Sequence, residues 1–480
     1  MSRSIDISYR RILQVTAPVL VTQLSYTAMG AIDTMMVGRL GVLELGAVGL
    51  GNLLTWWFLS FFFGLLTGVS AFVAQAVGAG RGRRVGVVLW QGVALAAASG
   101  VTMLLCWPLA PTVFAWTGAT EGMQSLATEY SQIRLLGGLG LCLLLVADNF
   151  YRGLGRTQVP MVCAISQLVL NCGLNYLLIY GKAGFPALGV RGAAVGTIVA
   201  QSVIGLVLFA TILGNRRFRA EFELASSWRP DRAVLRSLAL VSLPIATQTF
   251  LEMGGISVFS GVVARLGEAQ MAATNAVIQA WSLAFMSALA LSVGATTLAG
   301  QCLGAGDIAG ARRATSRIMR LGLGLTAAIS VLYLTAPEWL ISLFVRAGDA
   351  EALLPYARPL FTVVVICLFF DLRFNVLAGA LRGAGDTTYS MAVTIGSAWL
   401  VFVPATLFAT PRFGLVGAWW CLVIHVALMT ALLELRYRGS RWVHSLVDEE
   451  PVDGSRATPI EGGPAGATVP VSVESKGASP

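Results

Sequence analysis

Charge is what this chain has least of. Only 12% of its 480 residues are charged, about half the share of a soluble globular domain, and 56% are hydrophobic. That shortage excludes an ordinary water-soluble fold. Histidine is nearly missing, with 2 residues, and the 7 cysteines, Cys106, Cys142, Cys163, Cys172, Cys302, Cys367 and Cys421, show no metal or redox spacing. They read as small apolar fillers. No His-Glu-x-x-His, Gly-x-Ser-x-Gly or P-loop pattern occurs, which argues against an enzyme and against direct use of ATP. The stretch Met1 to Tyr9 has no short apolar core ending at a small-residue cleavage site, so the first apolar run is expected to be a retained helix.

Long apolar runs take the place of charge. Twelve are long enough to cross about 30 Å of hydrocarbon: 12–37, 46–78, 86–110, 127–151, 159–180, 191–213, 238–263, 270–302, 314–335, 356–380, 389–410 and 414–436. They must be helices, because backbone polar groups in lipid find no water. The expected fold class is therefore an all-α integral membrane protein.

The net charge of +9 has a topological pattern rather than the look of a nucleic-acid surface. Arg3, Arg10 and Arg11, Arg81 to Arg84, Arg152 and Arg156, the run from Arg216 to Arg236, Arg312 to Arg320, Arg382, and Arg436 to Arg441 all fall on one side of a twelve-span thread. The opposite loops hold only Arg39, Lys182, Arg191, Arg265, Arg346, Arg358 and Arg412. By the positive-inside rule both termini are expected in the cytoplasm of a cell that carries the protein in its inner or plasma membrane. The partner this charge implies is the lipid bilayer, with its anionic headgroups, and no nucleic acid.

The chain also contains itself twice. Pro18–Gly80 overlies Pro244–Gly306 without a gap, matching Val37, Arg39, Leu40 and Gly41 to Val263, Arg265, Leu266 and Gly267, and Gln75, Gly78 and Gly80 to Gln301, Gly304 and Gly306. A second echo pairs Arg152-Gly-Leu-Gly-Arg-Thr157 with Arg382-Gly-Ala-Gly-Asp-Thr387. Six spans precede the polar stretch after Asn215 and six follow, so the repeats are parallel, as in transporters that rock around a central site. The expected organisation is an N-terminal lobe over 1–214, a linker over 215–236, a C-terminal lobe over 237–445 and a disordered tail over 446–480, arranged as two six-helix bundles around a central cleft. The Gly-Ala-Gly and Arg-Gly-x-Gly-x-Thr segments are expected to be cytoplasmic turns, with glycine supplying a left-handed residue.

Ionisable groups inside spanning helices need a reason. Asp33, Glu252 and Asp371 stand out, and the repeat sets Asp33 against Phe259 and Glu252 against Tyr26. The halves share a scaffold but not their acids, which favours specialised chemistry over capping. A buried carboxyl group prefers its neutral form, so it can exchange a proton or hold a cation, and either event changes the local charge. Asn171 and Asn175 lie four apart on one helix face that can turn toward Asp33 or serve as glue between helices. Gln23, Tyr26, Asn275, Gln279 and His425 are further intramembrane polar groups, His425 reading as a core histidine. Met253, Phe285 and Met286 could line a permissive cleft, since methionine adapts to irregular partners and aromatic faces attract organic cations.

These residues resemble the multidrug and toxic compound extrusion (MATE) transporters over about 12–437. The resemblance rests on Pro18 with Asp33-Thr34, on Asn171-Cys-Gly-Leu-Asn175 running to Gly189, on Pro244 with Glu252, and on Asp371 leading to Gly379-Ala-Leu-Arg-Gly383. It implies a cation or proton site at Asp33, Asn171 and Asn175, and another at Glu252 and Asp371. Asp33-Thr-Met-Met-Val-Gly-Arg-Leu-Gly41 is similar to the DNA-damage-inducible branch, whereas Glu252, Asp371 and an Asn at 175 resemble the NorM-type branch. The expectation is a monomeric secondary antiporter without a cofactor, exporting amphipathic or cationic organic compounds, drugs among them, in exchange for Na⁺ or H⁺. A lipid-linked precursor flippase is the alternative; it would want a cationic cleft, and intramembrane arginines are few, chiefly Arg134 and Arg373.

Overall fold

The structure, a computed structural model, describes residues 5–342, 347–439 and 441–443; the tail expected over 446–480 lies outside the described residues. Every regular element among them is helical. The first half contains α1 (Tyr9–Gly38), α2 (Val42–Gly78), α3 (Gly82–Cys106), α4 (Ala110–Ala115), α5 (Glu121–Leu136), α6 (Gly138–Gly153), α7 (Gln158–Tyr180) and α8 (Val190–Gly214). After α9 (Arg216–Glu221), the second half contains α10 (Arg232–Ala264), α11 (Glu268–Gly304), α12 (Ile308–Thr335), α13 (Pro337–Ser342), α14 (Ala347–Gly383), α15 (Thr387–Gly396) and α16 (Val403–Arg438).

Ten helical runs among the described residues are long and apolar enough to cross a bilayer, and α5 with α6 forms an eleventh that is bent by 52°. The last run, Thr387–Arg438, spans 52 residues, more than twice the ~20 that one crossing needs. It passes through a π turn at Ser397–Phe402 and breaks at Gly414, whose φ of 62° and ψ of −152° are not helical. Divided there, it supplies the twelfth crossing.

The span expected as one helix over 127–151 is therefore bent, and Gly137-Gly138 is the cause. A Cβ on Gly137 would lie 2.5 Å from Ile198, and one on Gly138 2.4 Å from the sulfur of Met103. Bare backbone lets this junction press against α8 and α3, and glycine pairs are where helices bend. The stretch expected as a linker over 215–236 is also more ordered than its composition suggests. Phe218 and Phe222 are buried against the ring of Phe150, while Asp231 caps α10 by accepting from the amides of Ala233 and Val234.

Two large apolar clusters fill the interior. Leu66, Phe72, Leu89, Phe150 and Leu208 belong to one, and Val263, Val277, Phe361, Leu377 and Trp419 to the other. The halves nevertheless interlock. Ile12 of α1 is buried with Leu291, Ile318 and Leu372, and repeat-related glycines admit the opposite half: a Cβ on Gly68 would meet Ser242 at 2.0 Å, and one on Gly294 would meet Thr16 at 2.4 Å.

The repeated motifs explain one another. Pro18 and Pro244 sit inside α1 and α10, where proline cannot donate to the carbonyl one turn earlier. Thr157 donates to the freed carbonyl of Gln14 at 3.2 Å and to Val15 at 2.9 Å. Thr387 makes the counterpart of the Val15 bond in the second half, donating to Val241 at 2.7 Å. The glycines take the left-handed turns expected of them, with φ of 69° at Gly80 and 76° at its counterpart Gly306.

Candidate functional site

In the first half, α1, α7 and α8 converge on Asp33. Asn175 donates to its Oδ1 at 2.6 Å and lies 3.4 Å from Asn171 Oδ1, and Asn171 in turn donates to Thr197 Oγ1 at 3.4 Å. Asn171 and Asn175 are fully buried, Asp33 half-buried. The helices can come this close because position 196 is glycine: a Cβ there would lie 2.2 Å from Asn175 Oδ1. That oxygen is buried without a hydrogen-bond partner among the described residues. Arg134, which donates to Gln201 at 3.3 Å, lies within electrostatic range of Asp33, and Thr197 also faces the carboxylate. Of the two amides on that helix face, Asn175 reaches the acid, and Asn171 stands behind it, bonded to Asn175 and Thr197.

In the second half, Asp371 on α14 is buried. Its Oδ1 accepts from Asn375 at 3.0 Å, one turn along the helix, while Oδ2 has no hydrogen-bond partner among the described residues. Trp281 of α11 faces it, and Glu252 of α10 lies within electrostatic range. Glu252 is half-buried and also feels Arg382. Arg373 turns away from Asp371 and pairs with Glu434 at 2.9 Å.

The other sequence candidates are less tightly gathered. Asn275 and Gln279 are exposed on one face of α11, and Gln23, Tyr26, Met253, Phe285 and Met286 are half-buried. Phe285 packs against Trp281 with ring centroids 6.0 Å apart. His425 has a partner after all: its Nδ1 lies 2.7 Å from Ser397 Oγ, in the π turn, and its ring stacks on Phe402.

One ionisable group escaped the sequence reading. Asp148 on α6 is buried and bridges to Arg152 at 2.6 Å, and Tyr26 lies within electrostatic range of both. Its signal was an acid four residues before an arginine, at the end of the apolar run Leu141–Ala147. Thr197 was also missed; a threonine in a helix carries no sign of its own.

Two interlocked halves of spanning helices, each with an intramembrane acid and an amide beside it, define a multi-pass membrane transporter rather than an enzyme. The comparisons with known proteins agree. The MatE family profile matches residues 18–177 and 244–407. A "Probable multidrug resistance protein NorM" of Rhizobium meliloti is 31% identical over 442 residues, covering 89% of this chain and 93% of that protein. Another of the same name from Pseudomonas aeruginosa is 31% identical over 452 residues, covering 91% and 90%. Among solved structures, a MATE protein in complex with MaL6 superposes with a TM-score of 0.81 at 21% identity, covering 89% of this chain and 95% of that one. A eukaryotic MATE transporter gives 0.78 at 17% identity, covering 90% and 96%. The chain belongs to the MATE family of membrane transporters.

Proposed function

We propose that this protein is a secondary active exporter of amphipathic, often cationic, organic compounds, driven by inward flow of H⁺ or Na⁺ and working by alternating access between two lobes, 1–214 and 237–445, as a monomer with both termini in the cytoplasm. The observation that carries this reading is the Asp33 cluster: a carboxylate among apolar helices, held by an amide and not locked to an arginine by a direct hydrogen bond. The kinship with proteins named for multidrug resistance supports the substrate class.

The two acid sites offer different surroundings to the coupling ion. At Asp33 the neighbours that reach the carboxylate are an amide donor and the field of Arg134, and at Glu252 the field of Arg382 plays the same part, so a guanidinium opposes a bound cation at both sites and either can exchange a proton. Glu252 and Asp371 lie within range of each other, and Asp371 keeps an unused oxygen, the hard-oxygen chemistry that a sodium ion takes. Of the chief intramembrane arginines, Arg373 is paired with Glu434, which leaves Arg134, bonded to Gln201, for a phosphate; one such cation is a weak basis for the flippase alternative. Asp33→Asn is expected to abolish gradient-driven efflux from reconstituted vesicles while the protein still folds. Full efflux in that variant would remove Asp33 from the cycle.

A further inference from the structure

Gln75, near the end of α2, and Gln301, at the same place on α11, are both buried, although each begins the last turn of a long helix on the arginine-bearing face. Each amide reaches into the other half. Gln75 donates to the carbonyl of Gly383 at 2.8 Å, and Gln301 donates to the carbonyl of Gly153 at 3.0 Å. Gly153 and Gly383 are themselves counterparts in the Arg-Gly-x-Gly-x-Thr echo. Beside these bonds the backbones of α2 and α11 touch: a Cβ on Gly78 would lie 1.9 Å from the carbonyl oxygen of Gln301, and one on Gly304 would lie 2.0 Å from that of Gln75. Helix termination needs glycine only at Gly80 and Gly306, so it leaves this reciprocal pattern unexplained.

We propose that Gln75 and Gln301 are positioning residues of the transport cycle, two reciprocal latches that hold the cytoplasmic mouth shut between the lobes, and that the Gln75 latch is the weaker. This rests on the exporter reading for its place in a cycle, though not for its geometry. A buried amide side chain is tolerated only while it is bonded, so each glutamine favours the docked arrangement until water reaches it. Both latches must part for the mouth to open, because each half supplies one donor and one acceptor.

The two acceptors are held differently. Gly153 follows Arg152, which is fixed by Asp148 on its own helix at 2.6 Å, and Thr297 of the other half donates to the Arg152 carbonyl at 2.9 Å. Gly383 follows Arg382, but the counterpart of Asp148 is Ala378 and that of Thr297 is Ala71. Arg382 is held instead by neutral groups, donating to Ser292 Oγ at 2.7 Å and to the Ala378 carbonyl at 3.3 Å. The guanidinium makes both sets of bonds charge-assisted, but only Arg152 also has an opposite charge in direct contact, so the Gly383 acceptor is the one that yields first.

The test is a distance measurement on the full chain in lipid vesicles, with bio-orthogonal spin labels at the exposed positions Arg83 and Arg313. Wild type is expected to show a dominant short distance. Gln75→Ala and Gln301→Ala are each expected to raise a longer-distance population by about 2- to 12-fold, the equilibrium shift of one net hydrogen bond, with a larger shift in the double variant. Ser292→Ala, which removes the shorter of the two bonds holding Arg382, is expected to act in the direction of Gln75→Ala and to add little to it. Gly78→Ala wedges the same contact without touching an amide and is expected to open it too. In transport, the glutamine variants are expected to change kcat for efflux more than KM, which a loss of general packing would not separate. Unchanged distances in the double variant and in Gly78→Ala, with wild-type melting, would overturn the latch and leave the exporter reading standing. Absence of efflux from wild type would overturn the exporter and leave the distances to decide the latch.

Discussion

An acid inside a membrane protein is held by whatever its neighbours offer, and the four here have different neighbours. Asp33 has amides, Asp371 has Asn375, Glu252 has the fields of Asp371 and Arg382, and Asp148 has a full ion pair with Arg152. Only the last is matched charge for charge by a direct bond, which makes it structural rather than exchangeable. Removing one partner of a buried pair leaves an uncompensated charge and costs about 3–5 kcal/mol. Asp148→Ala is therefore expected to lower stability by about that amount, read as a fall in melting temperature of the purified protein, while Asp33→Asn is expected to leave it near wild type. Asp33, Asn171 and Asn175 were legible in the sequence because each is a polar side chain in an apolar run. Asp148 was the same kind of signal and was passed over, and Thr197 and Arg134 gain their meaning only from the packing of α8 and α5 beside α1.

At the scale of elements, the helices announced themselves through composition, and the twelve crossings were readable before any coordinate. Where they bend was not. The turn at Gly137 depends on Ile198 and Met103, which come from other helices, and the two-span run from Thr387 is separated by a single residue, Gly414. The tie between the proline and threonine motifs was equally hidden, since Thr157 and Gln14 stand 143 residues apart. Because Thr157 satisfies the Gln14 carbonyl that Pro18 leaves free inside α1, Thr157→Val is expected to destabilise by about 1–3 kcal/mol, the cost of a buried group left unpaired. Thr387→Val should cost less, about 0.5–1.5 kcal/mol, since its partner Val241 is not the carbonyl that Pro244 frees. Thermal melts of the two variants check this, and no loss in either would mean that water replaces the hydroxyl.

For the whole molecule, the repeat supplies a scaffold with one near two-fold design and the acids break it. Gly68 meets Ser242 as Gly294 meets Thr16, and Gln75 reaches Gly383 as Gln301 reaches Gly153, so the halves dock symmetrically. Asp33 has Phe259 as its counterpart and Glu252 has Tyr26, so the acid sites do not repeat. Under the proposed exporter reading, a symmetric scaffold with asymmetric acids would let ion occupancy in one lobe bias the movement of both. Glu252→Gln and Asp371→Asn are accordingly expected to weaken transport by altering its sodium dependence, with proton-driven export retained in part. Unchanged sodium dependence in both variants would remove the second half from coupling.

The most direct test of the central claim is export of a fluorescent organic cation from vesicles carrying the purified chain, with sodium and proton gradients imposed one at a time. The account predicts saturable export against the cation's own gradient when an ion gradient is present, none when both are dissipated, and none under either gradient in Asp33→Asn. Downhill leakage of equal rate in all of these conditions would contradict it.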